Sequence, residues 1–168
     1  METRIYKNLE FSNWNPPATL EQIAEAERML GTKFPPDYRD LLLNINGGLV
    51  LFNPCFFVDD HGKRPEEWGL KRLFGVEPCE SASILSQLGA FDFDQRVPNL
   101  IIPIGILDAS LRLCLSLRKV DYGHIYMWGP SHLSSGDEEG PIKQTMEELF
   151  FVANSFTEFL GILKRKPE

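Results

Sequence analysis

The sequence predicts an α+β domain, in which helices bracket a run of mostly antiparallel strands. The first observation is a pair of short amphipathic segments near the N-terminus, at residues 19–30 and 36–46. The second is a series of short apolar segments, several rich in leucine and isoleucine, in the middle of the chain. The third is a last amphipathic segment at residues 155–165. A chain of 168 residues is expected to form one domain, over residues 1–168.

The N-terminal part of the chain is predicted to lead into a capped helix. Residues 1–18 are expected to be irregular, because the Asn-Pro-Pro sequence that precedes the helix prevents an earlier start. The hydroxyl of Thr19 can cap helix 19–30, and Gln22 can complete a capping box. Gly31 follows the apolar periodicity at the position where a left-handed C-cap favours glycine.

The second helix is expected at residues 36–46. Pro35 and the proline after it suit a helix start, because proline lacks an N–H that would be unpaired there. Tyr38 belongs to the apolar face of this helix. Three residues that accept positive φ angles then end it: Asn46, Gly47 and Gly48.

The middle of the chain is predicted to form the sheet. The apolar segment after the second helix is expected to give one or two strand pieces that break at Asn53-Pro54. In the segment 111–117, leucines alternate with more polar residues, so one strand face is expected to be buried and the other mostly polar. The other predicted elements are strands at 68–76, 100–106 and 124–128 and a short helix at 81–88.

The last helix is expected at residues 155–165. Ser155 can cap it, with Glu158 as the capping-box partner. Phe156 and Phe159 belong to its apolar stripe. These features predict that the helix packs on the same side of the sheet as the N-terminal pair.

Four segments, taken in order, resemble the SUKH superfamily, which groups fungal Smi/Knr-type regulators with bacterial immunity proteins. The first is TLEQIAEAERMLGTKFPPDYRDLLLNINGG, and the others are NLIIPIGILDASLRLCLSL, GHIYMWGP and FVANSFTEFLGIL. The resemblance implies a Smi/Knr-like domain, with a mainly antiparallel sheet packed with an N-terminal helix pair and a C-terminal helix. The residues assigned to this structural motif are Glu27, Pro35, Tyr38, Asn46, Gly47, Gly48, Phe156 and Phe159. One turn departs from the pattern, since the family often has Asp-Gly-Gly-Asn where this chain has Asp108-Ala109-Ser110.

Composition limits the kinds of partner. The formal net charge is −7, which disfavours nucleic acid and anionic membranes and suits a basic protein, although solubility alone also explains it. The polar N-terminus predicts no secretory signal, and the three cysteines, without a C-x-x-C pair, predict free thiols in a reducing cytosol. A cytoplasmic location is therefore expected.

No catalytic residue, metal site or cofactor is predicted. The three histidines lack the paired spacing of zinc ligands. Cys55 and Cys114 lie in apolar runs, where thiols are usually inert. The sequence contains no nucleophile elbow, P-loop or dinucleotide fingerprint.

Two features have two open interpretations each. Glu27 falls on the apolar side of the first helix, where it either ties the helix to the second helix or adjacent loop, or belongs to a ligand site. His124, Tyr126 and Trp128 share one strand face. This aromatic row either covers the second face of the sheet or forms an exposed recognition surface.

The resemblance implies a non-catalytic binding protein. In bacteria such proteins neutralise a cognate toxin, often a nuclease, by direct association. A regulatory scaffold of the Smi/Knr type is the alternative, and an unrecognised enzyme or small-ligand binder is a third. The expected partner is a toxin or other basic protein, without direct contact to nucleic acid or membrane. The candidate binding residues are Tyr126, Trp128 and the acidic residues Asp92, Asp94, Asp137, Glu138 and Glu139.

Overall fold

The structure, a computed structural model, describes residues 2–58, 66–76, 83–89, 96–129 and 146–165. Within these ranges the helices are α1 (Leu20–Leu30), α2 (Pro36–Asn44), α3 (Ile84–Leu88) and α4 (Phe156–Ile162). The strands are β1 (Arg4–Tyr6), β2 (Leu9–Ser12), β3 (Gly48–Val50), β4 (Cys55–Val58), β5 (Glu66–Leu73), β6 (Ile101–Leu107), β7 (Arg112–Ser116), β8 (Ile125–Trp128) and β9 (Leu149–Ala153).

The strands form one sheet in which neighbouring strands are antiparallel. Its order is β1-β2-β3-β5-β6-β7-β8-β9, and β4 pairs with the first half of β5. The strand β4 also bridges to Lys164 after α4, which ties the C-terminal segment to the sheet. The predicted α+β class, with helices packed on a mainly antiparallel sheet, is confirmed.

The main core lies between helices α1, α2 and α4 and one face of the sheet. Ile23, Leu41 and Phe159, one from each helix, are fully buried in it. The sheet contributes alternate residues, among them Leu113 and Leu115 of β7. The helices therefore share one side of the sheet, as their apolar stripes predict.

The N-terminal caps of α1 and α4 follow the prediction with one correction. The amide of Gln22 donates to Thr19 Oγ1 over 3.1 Å, and the amide of Thr19 donates to Gln22 Oε1 over 2.9 Å. At α4, Ser155 Oγ accepts from the amide of Glu158, but the Glu158 carboxylate accepts from the amide of Asn154, not from that of Ser155. The predicted capping box at α4 is therefore only half formed. Helix α2 ends at Asn44 with Ile45 extended, before the Asn46-Gly47-Gly48 sequence that was expected to end it.

Three strands at the two ends of the sheet, β1, β2 and β9, were not expected from the sequence. Residues 1–18 are not irregular throughout, because β1 and β2 form a hairpin whose turn places Lys7 at a φ of 51°. The sequence of this turn lacks an Asn-Gly or Asp-Gly pair, which is the usual sequence signal of a tight hairpin turn. The strand β9 has no polar alternation, so its five residues do not distinguish a strand from a buried helical turn.

The expectation of a polar face on β7 is wrong. Cys114 and Ser116, which alternate with the leucines, are fully buried. A second apolar cluster covers this face of the sheet, with Val97 and Ile101 against Cys114. Because both faces of β7 are covered, alternation in its sequence marks two buried faces of different polarity.

Candidate partner-binding surfaces

Three of the motif residues form the centre of the helix–sheet packing. Tyr38 of α2 is fully buried, and its ring meets Phe156 of α4 edge-on at a centroid distance of 5.3 Å. Phe159 meets Phe56 of β4 in the same way, also at 5.3 Å. Burial raises the pKa of the Tyr38 hydroxyl well above its ordinary value, so this group stays neutral. These residues hold the fold together and are not accessible to a partner.

The Asn-Gly-Gly sequence brings two backbone segments into contact. Asn46 Oδ1 accepts a hydrogen bond from the amide of Val76 over 2.8 Å. Gly47 has a φ of 86°, and a Cβ at this position would lie 2.7 Å from the amide nitrogen of Gly75. A side chain cannot fit between these backbones, which explains the glycine. The motif therefore fixes the loop after α2 against the end of β5.

Glu27 ties α1 to the loop before α2 and approaches α2 itself. Its carboxylate accepts from the amide of Phe34 over 3.2 Å, and Arg39 Nε lies 3.8 Å from Glu27 Oε1. The residue is buried. This geometry agrees with the structural interpretation of Glu27, and Pro35 at the N-cap of α2 completes the same corner.

The turn that departs from the family pattern keeps a left-handed backbone without glycine. Ala109 has a φ of 55° and Ser110 a φ of 61°. Asp108 fixes the turn, because its carboxylate accepts from the amide of Gly69 over 2.7 Å and lies 3.5 Å from Lys71 Nζ. The aspartate therefore supplies the anchor, and the two following residues adopt a conformation that L-residues disfavour.

The aromatic row on β8 is buried, which disagrees with the second of its two interpretations, an exposed recognition surface. Tyr126 and Trp128 are 8% and 7% exposed and belong to the second apolar cluster, while Ile125 and Met127 face the main core. The interpretation that the row covers the second face of the sheet therefore agrees with the structure. His124 lies beside them, at a ring-centroid distance of 6.3 Å from Tyr126. A role of the two buried rings in partner binding stays a prediction that no contact supports.

A buried carboxylate, which the sequence did not single out, organises the turn between β7 and β8. Asp121 accepts hydrogen bonds from Ser116 Oγ (2.5 Å), Tyr126 Oη (2.6 Å) and Arg118 Nη2 (2.6 Å). Burial alone would raise the pKa of Asp121, but these hydrogen bonds lower it to about 2. The carboxylate is saturated by its own neighbours, so the cluster is structural.

The acidic residues chosen from the sequence lie outside the described residues. These are Asp92, Asp94, Asp137, Glu138 and Glu139. Described residues that follow these two segments in the chain meet on the second face of the sheet. Arg96 Nη1 and Glu148 Oε1 lie 3.3 Å apart, and Trp128 Nε1 donates to Glu148 Oε2 over 3.3 Å.

Two open clefts flank the N-terminal helices. The first, of about 360 Å³, lies beside α2. It carries charges of both signs, with Lys33 and Arg39 near Asp40. Its apolar wall includes Tyr122, whose hydroxyl donates to the carbonyl of Lys33 over 2.5 Å. Because both signs of charge line it, this cleft does not present a uniformly acidic surface to a basic partner.

The second cleft, of about 490 Å³, lies between α1 and α3 and is called the α1–α3 groove here. Its polar rim is acidic, with carboxylates from Glu21 and Glu25. Its apolar lining comes from Ala26, Met29, Val76 and Leu85. Of the two clefts, this groove combines an apolar interior with one sign of charge.

The described residues offer no evident chemistry for catalysis. Cys55 and Cys114 are buried, and burial raises the pKa of Cys114 far above its ordinary value, so it does not ionise at neutral pH. Among the described residues no group of three or more His, Cys, Asp or Glu side chains is placed to hold a metal. Within the same residues, no helix has the length and apolar character needed to cross a bilayer.

Comparison with known proteins gives two matches. The model of the SMI1/KNR4 family (SUKH-1) matches residues 17–162, from the first helix to the end of α4. The chain is also similar to the SPbeta prophage-derived uncharacterized protein YokK of Bacillus subtilis (strain 168). The two are 26% identical over an alignment of 162 residues, and the alignment covers 89% of this chain and 76% of that protein.

Proposed function

Because the chain belongs to the SMI1/KNR4 family (SUKH-1), we propose that it is an immunity protein that neutralises a cognate bacterial toxin by direct association. The family includes toxin immunity proteins. The observation that carries the proposal is the match of the family model over residues 17–162, together with a net charge of −7. The similarity to a prophage-derived protein of Bacillus subtilis agrees with a bacterial setting.

The charge supports a basic partner. Toxins that cleave nucleic acids need cationic surfaces to bind a polyanion. An inhibitor of net charge −7 attracts such a surface and competes with the nucleic acid for it. The same charge repels nucleic acid and anionic lipid from the inhibitor itself.

The proposal requires no catalysis. The motif residues Tyr38, Phe156 and Phe159 are used for packing, and the polar cluster around Asp121 is saturated by internal hydrogen bonds. The buried thiol of Cys114 is held neutral. Stoichiometric occlusion of the toxin accounts for neutralisation without a reacting group, and we place the complex in the cytoplasm.

The two acidic segments that contain Asp92 and Asp94, and Asp137, Glu138 and Glu139, are the proposed steering elements. Association with the toxin should be slower when Asp137, Glu138 and Glu139 are together replaced by neutral residues. It should also be slower when Asp92 and Asp94 are both replaced by neutral residues. Opposed charges raise association rate constants to about 10⁸–10⁹ M⁻¹s⁻¹ at low salt, and added salt lowers them. Stopped-flow binding to the toxin across a salt series measures this effect.

The matched control removes two exposed carboxylates elsewhere, by Glu66→Gln with Glu67→Gln on β5. The association rate of this variant should fall less than the rates of the variants in the two acidic segments, although the charge change is similar. An association rate that ignores both salt and the substitutions in the acidic segments contradicts electrostatic steering. A partner found to be a wall-synthesis regulator instead of a toxin favours the alternative, a regulatory scaffold of the Smi/Knr type.

A further inference from the structure

The α1–α3 groove has a lining that the fold itself does not require. Met29 is 58% exposed, although it is a large apolar side chain at the end of an amphipathic helix. Exposed apolar surface with a polar rim is typical of interaction sites. Methionine adapts its shape to different apolar partners, which suits a binding surface better than a rigid core position.

Helix α1 places three side chains of the groove in one line. Glu21, Glu25 and Met29 are four residues apart in turn, so they share one face of the helix. Across from them stand Val76, which is buried, and Leu85 of α3, which is partly exposed. An occupant therefore meets carboxylates toward the start of α1 and an apolar surface toward its end.

The charge of the groove is negative under physiological conditions. The hydrogen bond from Arg28 lowers the pKa of Glu25, which is thus ionised at neutral pH. The two side chains of this ion pair, 2.6 Å apart, are 71% (Arg28) and 57% (Glu25) exposed. The pair is bidentate, but water screens both exposed side chains, so a cation of a partner can compete with Arg28 for Glu25.

We propose that the α1–α3 groove is the docking site for a basic amphipathic segment of the toxin partner. An apolar side chain of that segment packs between Met29 and Leu85, and its lysine or arginine side chains pair with Glu21 and Glu25. A second copy of this chain is disfavoured as the occupant, because two copies of net charge −7 repel each other. The inference rests on the proposed function and assigns the contact surface that it lacks.

The first test uses a defined probe, a fluorescein-labelled helical peptide built only from leucine and lysine. Nuclear magnetic resonance should show amide shift changes confined to α1, Val76 and α3. Versions in which glutamate replaces lysine, or glutamine replaces leucine, should not bind. Shift changes spread over the whole acidic surface, or equal binding of the glutamine version, would overturn the proposal.

Substitutions then assign the contributions of charge and apolar contact. The variant Glu21→Gln with Glu25→Gln should weaken peptide binding about threefold to tenfold, because it removes two exposed ion pairs. Met29→Gln should weaken peptide binding about fivefold, because this substitution replaces an apolar contact by a polar side chain of similar size. All three side chains are exposed and glutamine favours helix, so circular dichroism should show unchanged folding. Unchanged affinity in these folded variants contradicts the proposal.

The matched control is Glu66→Gln with Glu67→Gln, which lowers the charge equally but lies on β5. Its peptide affinity should stay within about twofold of the wild-type value, since long-range effects of exposed charges are screened. A loss equal to that of the groove variant would mean that only net charge matters, and the groove would be rejected.

The same variants are finally measured against the toxin that the wild-type protein inhibits. If the variant Glu21→Gln with Glu25→Gln binds the toxin as tightly as the wild type does, the groove is rejected as the docking site. The proposed function then remains intact. If the wild-type protein inhibits no basic toxin, the proposed function fails. In that case the peptide measurement alone decides whether the groove binds a basic amphipathic segment.

Discussion

At the scale of single residues, Asp121 shows how a buried carboxylate is stabilised by neighbours from different elements. Its hydrogen-bond donors come from β7, β8 and the turn between them. Each donor is close in sequence, yet no spacing rule for strands or turns predicts that three side chains converge on one carboxylate. The sequence therefore identified the turn but not the cluster.

Asp121 predicts a pH dependence of stability. Its pKa is lowered from 3.8 to about 2 in the folded protein. A carboxyl with a lowered pKa contributes stability above its unfolded pKa and loses that contribution as the pH falls through the folded pKa. A shift of this size corresponds to about 2 kcal/mol. Asp121→Asn should therefore lower the free energy of unfolding by about this amount at pH 7.

Urea unfolding at a series of pH values measures the difference between wild type and Asp121→Asn. The difference should be constant near neutrality and shrink between about pH 4 and pH 2, because the wild-type carboxylate becomes protonated there. Glu66→Gln, at an exposed position, should change stability by less than about 0.5 kcal/mol at pH 7. A difference that persists unchanged to the lowest pH contradicts the assigned role of the carboxylate.

The turn after β6 predicts a stabilising substitution. Ala109 and Ser110 have φ angles of 55° and 61°, a conformation that costs an L-residue roughly 1–2 kcal/mol. Glycine removes this strain but adds about 0.4–1 kcal/mol of entropy to the unfolded chain. Ala109→Gly should therefore raise the free energy of unfolding by about 0.5–1 kcal/mol.

The matched control is Ala24→Gly on the exposed face of α1, where the helical backbone does not need glycine. This substitution should lower the free energy of unfolding by about 1 kcal/mol. Chemical denaturation of both variants gives the comparison. Destabilisation of similar size at both positions would show that the turn at residue 109 is not strained.

At the scale of elements, the sequence predicted the helices and strands whose apolar residues recur with a strong period. Helices α1, α2 and α4 and strands β6, β7 and β8 lie within a few residues of their expected positions. The elements that were not expected, β1, β2 and β9, are short and lie at the ends of the sheet. Their pairing depends on contacts with distant strands, which a local pattern does not encode.

Helix α4 predicts a large effect of a single core substitution. Phe159 is fully buried and packs against Phe56 and Phe156. Phe159→Ala should lower the free energy of unfolding by about 3–5 kcal/mol, the usual range for deleting a buried aromatic ring. A denaturant melt measures the loss.

The control for this prediction is Phe57→Ala on β4. Phe57 is 53% exposed, so the same truncation should cost less than about 1 kcal/mol. A loss below about 1 kcal/mol for Phe159→Ala as well would mean that α4 is peripheral to the fold.

At the scale of the whole molecule, the fold and the function were predictable to different extents. The family motif predicted the architecture because its residues, such as Tyr38, Gly47 and Phe159, are used in packing and backbone contacts. The same use explains why the motif does not identify a binding surface. The alternation on β8 left two interpretations of Tyr126 and Trp128 open, and only the structure shows that both rings are buried in an apolar cluster on the second face of the sheet.

The central claim is that this protein neutralises its toxin as a stoichiometric, non-catalytic complex, and titration of toxin activity tests it most directly. A fixed amount of toxin is mixed with increasing amounts of the protein, and the residual toxin activity is measured. We expect activity to fall linearly to an end point near equimolar protein, with chemically intact toxin recovered after dissociation of the complex. Complete inactivation by far less than an equimolar amount, or no inactivation at any ratio, would contradict the account.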